Sequence, residues 1–199
     1  MIRYKDFSRI VLLAALVALP ACASRPAPRI FVLDPPGGAP TGIVSLRDRP
    51  QVALLAVQVP DYLDTTDILT RGTGHEIVAS DSARWGERLS VGVTHAVLSA
   101  LQARRQDLGI APADSIDNRP RRLLVQIDAL DLWSDGRCTL TARWSLLDRD
   151  GETVLVSLAS SFSIPAAATT TIGEGGLVEA VSRAIADLAQ AIAVSLPKA

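Results

Sequence analysis

Apolar residues along this chain fall into several distinct patterns, each of which predicts an element. A positive start (Arg3, Lys5, Arg9) leads into an apolar run from Ile10 to Leu19, about 10 residues where a membrane-spanning helix needs ~20. Val52 to Val59 is a nearly continuous β-rich run ended by Pro60, as expected of a strand covered on both faces. Asp67–Arg71 and His75–Ala79 are short extended runs around Gly72-Thr73-Gly74, which predicts a hairpin. Between Glu87 and Arg105, Leu89, Val93, Ala96, Val97, Ala100 and Leu101 recur at helical spacing and predict an amphipathic helix.

Three strands follow a polar loop containing Pro112, Asn118 and Pro120. In Leu123–Trp133 the apolar set Val125, Ile127, Ala129 changes parity to Leu130, Leu132, which predicts a bulge near Ala129. Cys138, Leu140, Ala142, Trp144 and Leu146 alternate with Thr139, Thr141, Arg143 and Ser145, the period of a half-buried strand. Val154, Val156, Leu158, Phe162 and Ile164 make one face of the next strand, and the turns between are Asp135-Gly136 and Asp150-Gly151. After an Ala/Thr-rich loop, Leu177, Val181, Ile185, Leu188, Ile192 and Leu196 form the stripe of a C-terminal helix. The order predicts an α/β fold: a mixed β-sheet with one crossover helix and a C-terminal helix packed on it.

Composition changes this picture mainly at the N-terminus. Small residues and Leu19-Pro20-Ala21-Cys22 follow the apolar run, the layout of a secretory signal peptide that resembles a bacterial lipobox. Residues 1–21 are therefore expected to be removed and Cys22 to be acylated and membrane-bound. Ala23 after the cysteine, where inner-membrane retention would place aspartate, points to the outer membrane and its periplasmic face. Residues 22–50 hold Pro26, Pro28, Pro35, Pro36, Gly37, Gly38, Pro40, Gly42 and Pro50 and read as a tether containing one extended stretch, Ile30–Leu33. Residues 51–199 are the expected periplasmic domain. Acylation of Cys22 leaves Cys138 alone, an inert strand residue that can form no intrachain disulfide.

The chain carries 20 basic and 21 acidic side chains. Without residues 1–21 it keeps 17 and 20, too acidic a balance for a nucleic-acid partner. The remaining aromatics, Phe31, Tyr62, Trp85, Trp133, Trp144 and Phe162, are too few for base stacking. Gly-x-Ser-x-Gly, a P-loop and paired Cys-x-x-Cys ligands are absent. His75 and His95 lack a metal-site pattern. Asp61, Asp64 and Asp67 read as turn and cap residues rather than a calcium loop, and Gly173-Glu174-Gly175-Gly176 as a flexible start to the last helix. No enzyme activity, cofactor or metal is expected.

Pro60-Asp61-Tyr62-Leu63-Asp64, Ile68-Leu69-Thr70-Arg71 and Arg84-Trp85-Gly86-Glu87-Arg88-Leu89, in that order after a lipobox and before an amphipathic helix, carry a more specific signal. Together they resemble the auxiliary lipoproteins of ABC-type transport, the paraquat-inducible protein C (PqiC)-like family, whose pattern reads roughly Pro-x-Tyr-Leu-Asp, Ile-Val-x-Arg and Arg-Trp-Ala-Glu-Pro-Leu. Phe31-Val32-Leu33 is similar to the family's Tyr-x-Leu. Gly86 and Arg88 depart from its alanine and proline. The resemblance implies a periplasmic, membrane-anchored, non-enzymatic component of MCE-type (mammalian cell entry) transport systems, which move phospholipid or other hydrophobic substrates between the inner and outer membranes. Its partner would be the periplasmic MCE protein, with homo-oligomers allowed by exposed strand edges.

Tyr62, Arg71, Trp85 and Glu87 are the expected partner-binding residues: two aromatic anchors with two charged companions. The competing expectation for the same residues is structural, with Trp85 under the helix start, Glu87 in its first turn and Arg71 paired with Glu87. The rival function, which fold alone cannot separate from the first, is a lipoprotein assisting assembly of an outer-membrane or cell-wall structure.

Overall fold

In the computed structural model of the chain, residues 26–33, 49–116, 119–165 and 173–198 are described. Cys22 and residues 1–21 lie outside them, as does most of the expected tether. The elements are β1 (Arg29–Phe31), β2 (Gln51–Leu54), β3 (Asp67–Arg71), β4 (Ile77–Trp85), α1 (Leu89–Arg104), β5 (Gly109–Pro112), β6 (Arg121–Leu132), β7 (Cys138–Leu147), β8 (Val154–Ile164) and α2 (Glu174–Ser195).

The period-two stretches fold as expected. β6, β7 and β8 form an antiparallel meander, and the β6–β7 register shifts between Ile127 and Ala129. That bulge is why Leu123, Val125, Ile127, Leu130 and Leu132 all reach the core despite their change of parity. Gly136 and Gly151 take positive φ values of 83° and 77° at the two Asp-Gly turns, a backbone region closed to most other residues. β2 lies parallel to both β6 and β5, giving a sheet of order β5-β2-β6-β7-β8. The mixed pairing is completed by a second sheet, β1-β4-β3, in which β1 runs parallel to β4 and β3 antiparallel to it.

The two helices pack against each other, and α2 also packs on β7 and β8. Their buried stripes alternate large and small: Leu89, Gly92, Val93, Ala96, Val97, Ala100 and Leu101 on α1, with Ala180, Ala184, Ala189 and Ala193 interleaved among leucine, isoleucine and valine on α2. Small residues let the helix backbones approach while the large ones fill the space above the sheet. Arg105 closes the far end, donating to the carbonyls of Ala193 (3.0 Å), Leu196 (2.9 Å) and Pro197 (2.6 Å) at and beyond the end of α2. Trp144 Nε1 donates to Ser195 Oγ at 2.9 Å.

Four elements differ from the expectation. The run Val52–Val59 is interrupted after Leu54, where the Val57 N–H donates to Thr94 Oγ1 of α1 at 2.9 Å, and it returns to β6 at Gln58, which bridges Gln126. β5 forms where a loop was expected. β4 continues through Asp81 and Ser82 as far as Trp85. β8 is a sheet edge, so Leu158 and Val154 of its expected inner face stay 48% and 56% exposed, Val154 beyond a register shift at Leu146/Leu147. The expected stretch Ile30–Leu33 largely coincides with β1, and Phe31 and Leu33 pack against the core.

Candidate functional site

Trp85 ends β4 opposite Phe31 of β1, and its backbone N–H donates to the Thr66 carbonyl at 2.7 Å. Only 5% of it is exposed. On one side it meets Leu63, Leu69, Leu89, Leu130 and Leu132; on the other Phe31, Leu33, Gly86 and Gly92. The crevice on each side holds about 10 Å³, which is room for a water at most. Trp85 is thus a keystone between the small sheet, the start of α1 and β6.

Tyr62 sits in the turn after Pro60 and is 48% exposed. It lies close enough to Arg71 to act on it electrostatically. Arg71 donates to Asp131 Oδ1 from Nε (2.8 Å) and from Nη2 (2.5 Å), and these bonds hold its guanidinium more firmly in the charged form. The same guanidinium stands 5.8 Å from the Trp133 ring centroid, and Arg137 stands 4.9 Å from it. The Trp133 Nε1 is buried with no hydrogen-bond partner among the described residues. Both guanidiniums that stand over this one indole are also paired with aspartates, Arg71 with Asp131 and Arg137 with Asp135, so the cation–π contacts and ion pairs together order the ring.

Glu87 belongs elsewhere. Its Oε1 lies 3.3 Å from His95 Nδ1, one side chain at the start of α1 and the other two turns along it. The first turn of α1 holds no acidic residue; its orphan N–H is served from outside by Asp64, whose Oδ1 accepts from the Ser90 N–H at 3.2 Å while Oδ2 accepts from Arg88 at 2.5 Å. Partial desolvation pushes the Asp64 carboxyl up, but the bonds from Ser90 and Arg88 outweigh it and leave its pKa lowered. Burial, with Asp131 nearby, pushes the Cys138 thiol up to about 12, so it is poorly reactive.

The structure therefore pairs Arg71 with Asp131, leaves Tyr62 half-exposed in the turn after Pro60, places Trp85 in the interior, and leaves Glu87 with His95. Asp131, Trp133 and Arg137 cluster with Arg71 and were missed. The pairing of Arg71 with Asp131, 60 residues on, has no local sequence signal, although an isolated Trp before an Asp-Gly turn followed by Arg was a legible hint. Among the described residues no group of His, Cys, Asp and Glu could hold a metal ion.

A family model described as ABC-type transport auxiliary lipoprotein component matches residues 31–193. The chain belongs to this family. The family's members are auxiliary lipoprotein components of ABC-type transport, and the match begins at Phe31, within β1. The fold is similar to the crystal structure of an uncharacterized protein (TM-score 0.69, 14% identity, covering 84% of this chain and 97% of the other). It is also similar to that of a Xanthomonas campestris protein of the DUF330 family (TM-score 0.59, 16% identity, covering 84% and 90%). No curated protein matches the sequence. Among the described residues, no helix of this auxiliary lipoprotein is long and apolar enough to cross a membrane.

Proposed function

We propose that this auxiliary lipoprotein is a non-catalytic adaptor of an MCE-type ABC lipid transporter, anchored on the periplasmic face of the outer membrane and docking the transporter's periplasmic MCE protein there. On this reading residues 1–21 are a cleaved signal, Cys22 carries the acyl chains, and the domain from residue 51 onward works at the end of the 22–50 tether, with β1 reaching back to it. Family membership over residues 31–193 carries the reading. The Tyr62–Arg71 patch supports a docking role: a half-exposed aromatic beside a fixed cation is the composition enriched where partners bind. Trp85 shapes this surface from beneath, and Glu87 with His95 flanks α1. The free edge of β8, with Val154 and Leu158 exposed, supplies a surface for self-association into a homo-oligomer.

The test is recovery of the acylated protein from envelopes in mild detergent, with mass spectrometry of what co-purifies. The native chain is expected to bring down an MCE protein and its permease, and Tyr62→Ala to reduce that recovery at least about fivefold, the loss of ~1 kcal/mol that marks an interface residue. Recovery of outer-membrane assembly or cell-wall factors instead would overturn the reading in favour of an assembly role.

A further inference from the structure

The direction in which the chain arrives from its anchor is fixed by β1. Arg29, Ile30 and Phe31 pair in parallel with Ala83, Arg84 and Trp85. The Phe31 carbonyl accepts from the Gly86 N–H at 2.7 Å. Arg29 is further clasped by Glu174 at the start of α2, which also accepts from Ser82. Because the strands are parallel, the chain upstream of Arg29 leaves the domain on the side toward which the beginning of β4 points. That is the side of the β3–β4 hairpin.

In this hairpin β3 is held to β6 through Arg71, which bonds Asp131 and bridges Trp133, while the outer half of β4 is left uncovered. Ile77 and Val78 are consecutive, so their side chains point to opposite faces of the ribbon, yet they are 36% and 45% exposed. Ala79 is exposed as well, and so are Thr73, Gly74, His75 and Glu76. The outer half of β4 thus buries little apolar surface in its own domain.

Chain lengths bring this ribbon and the anchor to one level. Ile77 is six residues back along β4 from Ala83, a rise of ~20 Å. Cys22 is seven residues before Arg29, so its Cα lies at most ~25 Å from that of Arg29, and at most ~14 Å from that of the exposed Pro26. Seven residues extended in the direction of β1 are long enough for Cys22 to reach the level of the hairpin tip.

We infer that the β3–β4 hairpin tip rests in the headgroup region of the same bilayer that holds the Cys22 acyl chains, with Ile77 and Val78 as its apolar contact. The inference rests on the proposed acylation of Cys22. Arg25, three residues after Cys22 in the sequence, adds a cation suited to anionic headgroups; in the turn, Gly72, Thr73 and Gly74 are uncharged and Glu76 supplies its single carboxylate, folded beside Gly72. The lipid surface thereby fixes the tilt of the domain as well as its distance.

The experiment uses the full acylated chain in vesicles of phosphatidylethanolamine and phosphatidylglycerol. An environment-sensitive fluorophore is carried at Val78→Cys or, as the comparison, at Glu152→Cys in the β7–β8 turn. Acylated Cys22 and buried Cys138 do not compete for the label. The expected result is a blue shift at position 78, and its quenching by lipids bearing a shallow quencher, with neither effect at position 152. Mass spectrometry of the N-terminal peptide and flotation with the vesicles report acylation separately. An acylated, floating protein whose position-78 label shows no shift overturns the hairpin assignment and leaves the lipoprotein reading standing. A chain without acyl groups overturns both. A shift that appears only when envelope protein is added makes the hairpin a protein-docking element and also overturns the assignment.

Discussion

Truncating Trp85 to alanine separates its two expected roles. The side chain is buried between two groups of apolar residues with about 10 Å³ of space on either side, so little slack exists for neighbours to collapse into. Removing a buried indole costs ~3–5 kcal/mol through lost transfer energy plus the cavity left behind. The neighbours come from four elements and one loop: Phe31 of β1, Leu69 of β3, Leu89 of α1, Leu130 and Leu132 of β6, and Leu63. Each is held by its own backbone pairing, which favours the upper part of that range. For a domain of this size the loss corresponds to a fall in Tm of about 6–20 °C. Urea unfolding should show a lower midpoint with an unchanged m-value. Trp85→Phe, which keeps a ring in the site, should recover part of the loss. A cost below ~1 kcal/mol, with m unchanged and partner recovery abolished, would refute the packing argument and make Trp85 an interface residue.

Gly86→Ala would place a Cβ 2.9 Å from Val32 Cγ1 and 3.3 Å from Ile30 Cγ2, the ends of two exposed side chains; the expected result is a side-chain adjustment costing below ~1 kcal/mol with unchanged proteolysis upstream of Leu33, and faster cleavage there would contradict it. The lowered pKa of Asp64 means that its stabilisation is present above the ordinary carboxylate range and is lost as pH falls through that range and below it. Asp64→Ala should therefore cost about 0.5–2 kcal/mol near neutral pH and progressively less in acid, as read from urea midpoints across that range; a cost independent of pH would reject the capping role.

Much of the architecture was legible because it is local. The alternation in β6–β8, the parity change at Ala129 and the two helical stripes each encode their element within a dozen or so residues, and the structure reproduces them. What escaped depended on distant partners. β5 is a Gly-Ile-Ala-Pro segment with little strand character of its own, and exists because β2 offers it a parallel edge. β4 runs through Asp81 and Ser82 because β1 and β3 flank its inner end, a pairing no local pattern announces. The site divided in the same way: Tyr62 and Arg71 were picked from motif residues, while Asp131, Trp133 and Arg137 arrive from the end of β6 through a single parallel bridge, Arg71 to Trp133. Gly86, a departure from the family's alanine, faces the exposed ends of Val32 and Ile30, and the structure does not explain the change.

The clasp of Arg29 to Glu174 puts the first turn of α2 at the end of the domain where the chain arrives. The 22 residues of that helix then act as a ruler of ~33 Å, at whose other end Arg105 pins Leu196 and Pro197. A protein fused behind Ala199 would begin a full helix length away from the arriving chain. With Cys22 anchored as proposed, a reporter or an affinity handle placed there would be kept clear of the bilayer, whereas the same handle near residue 26 would be crowded against it.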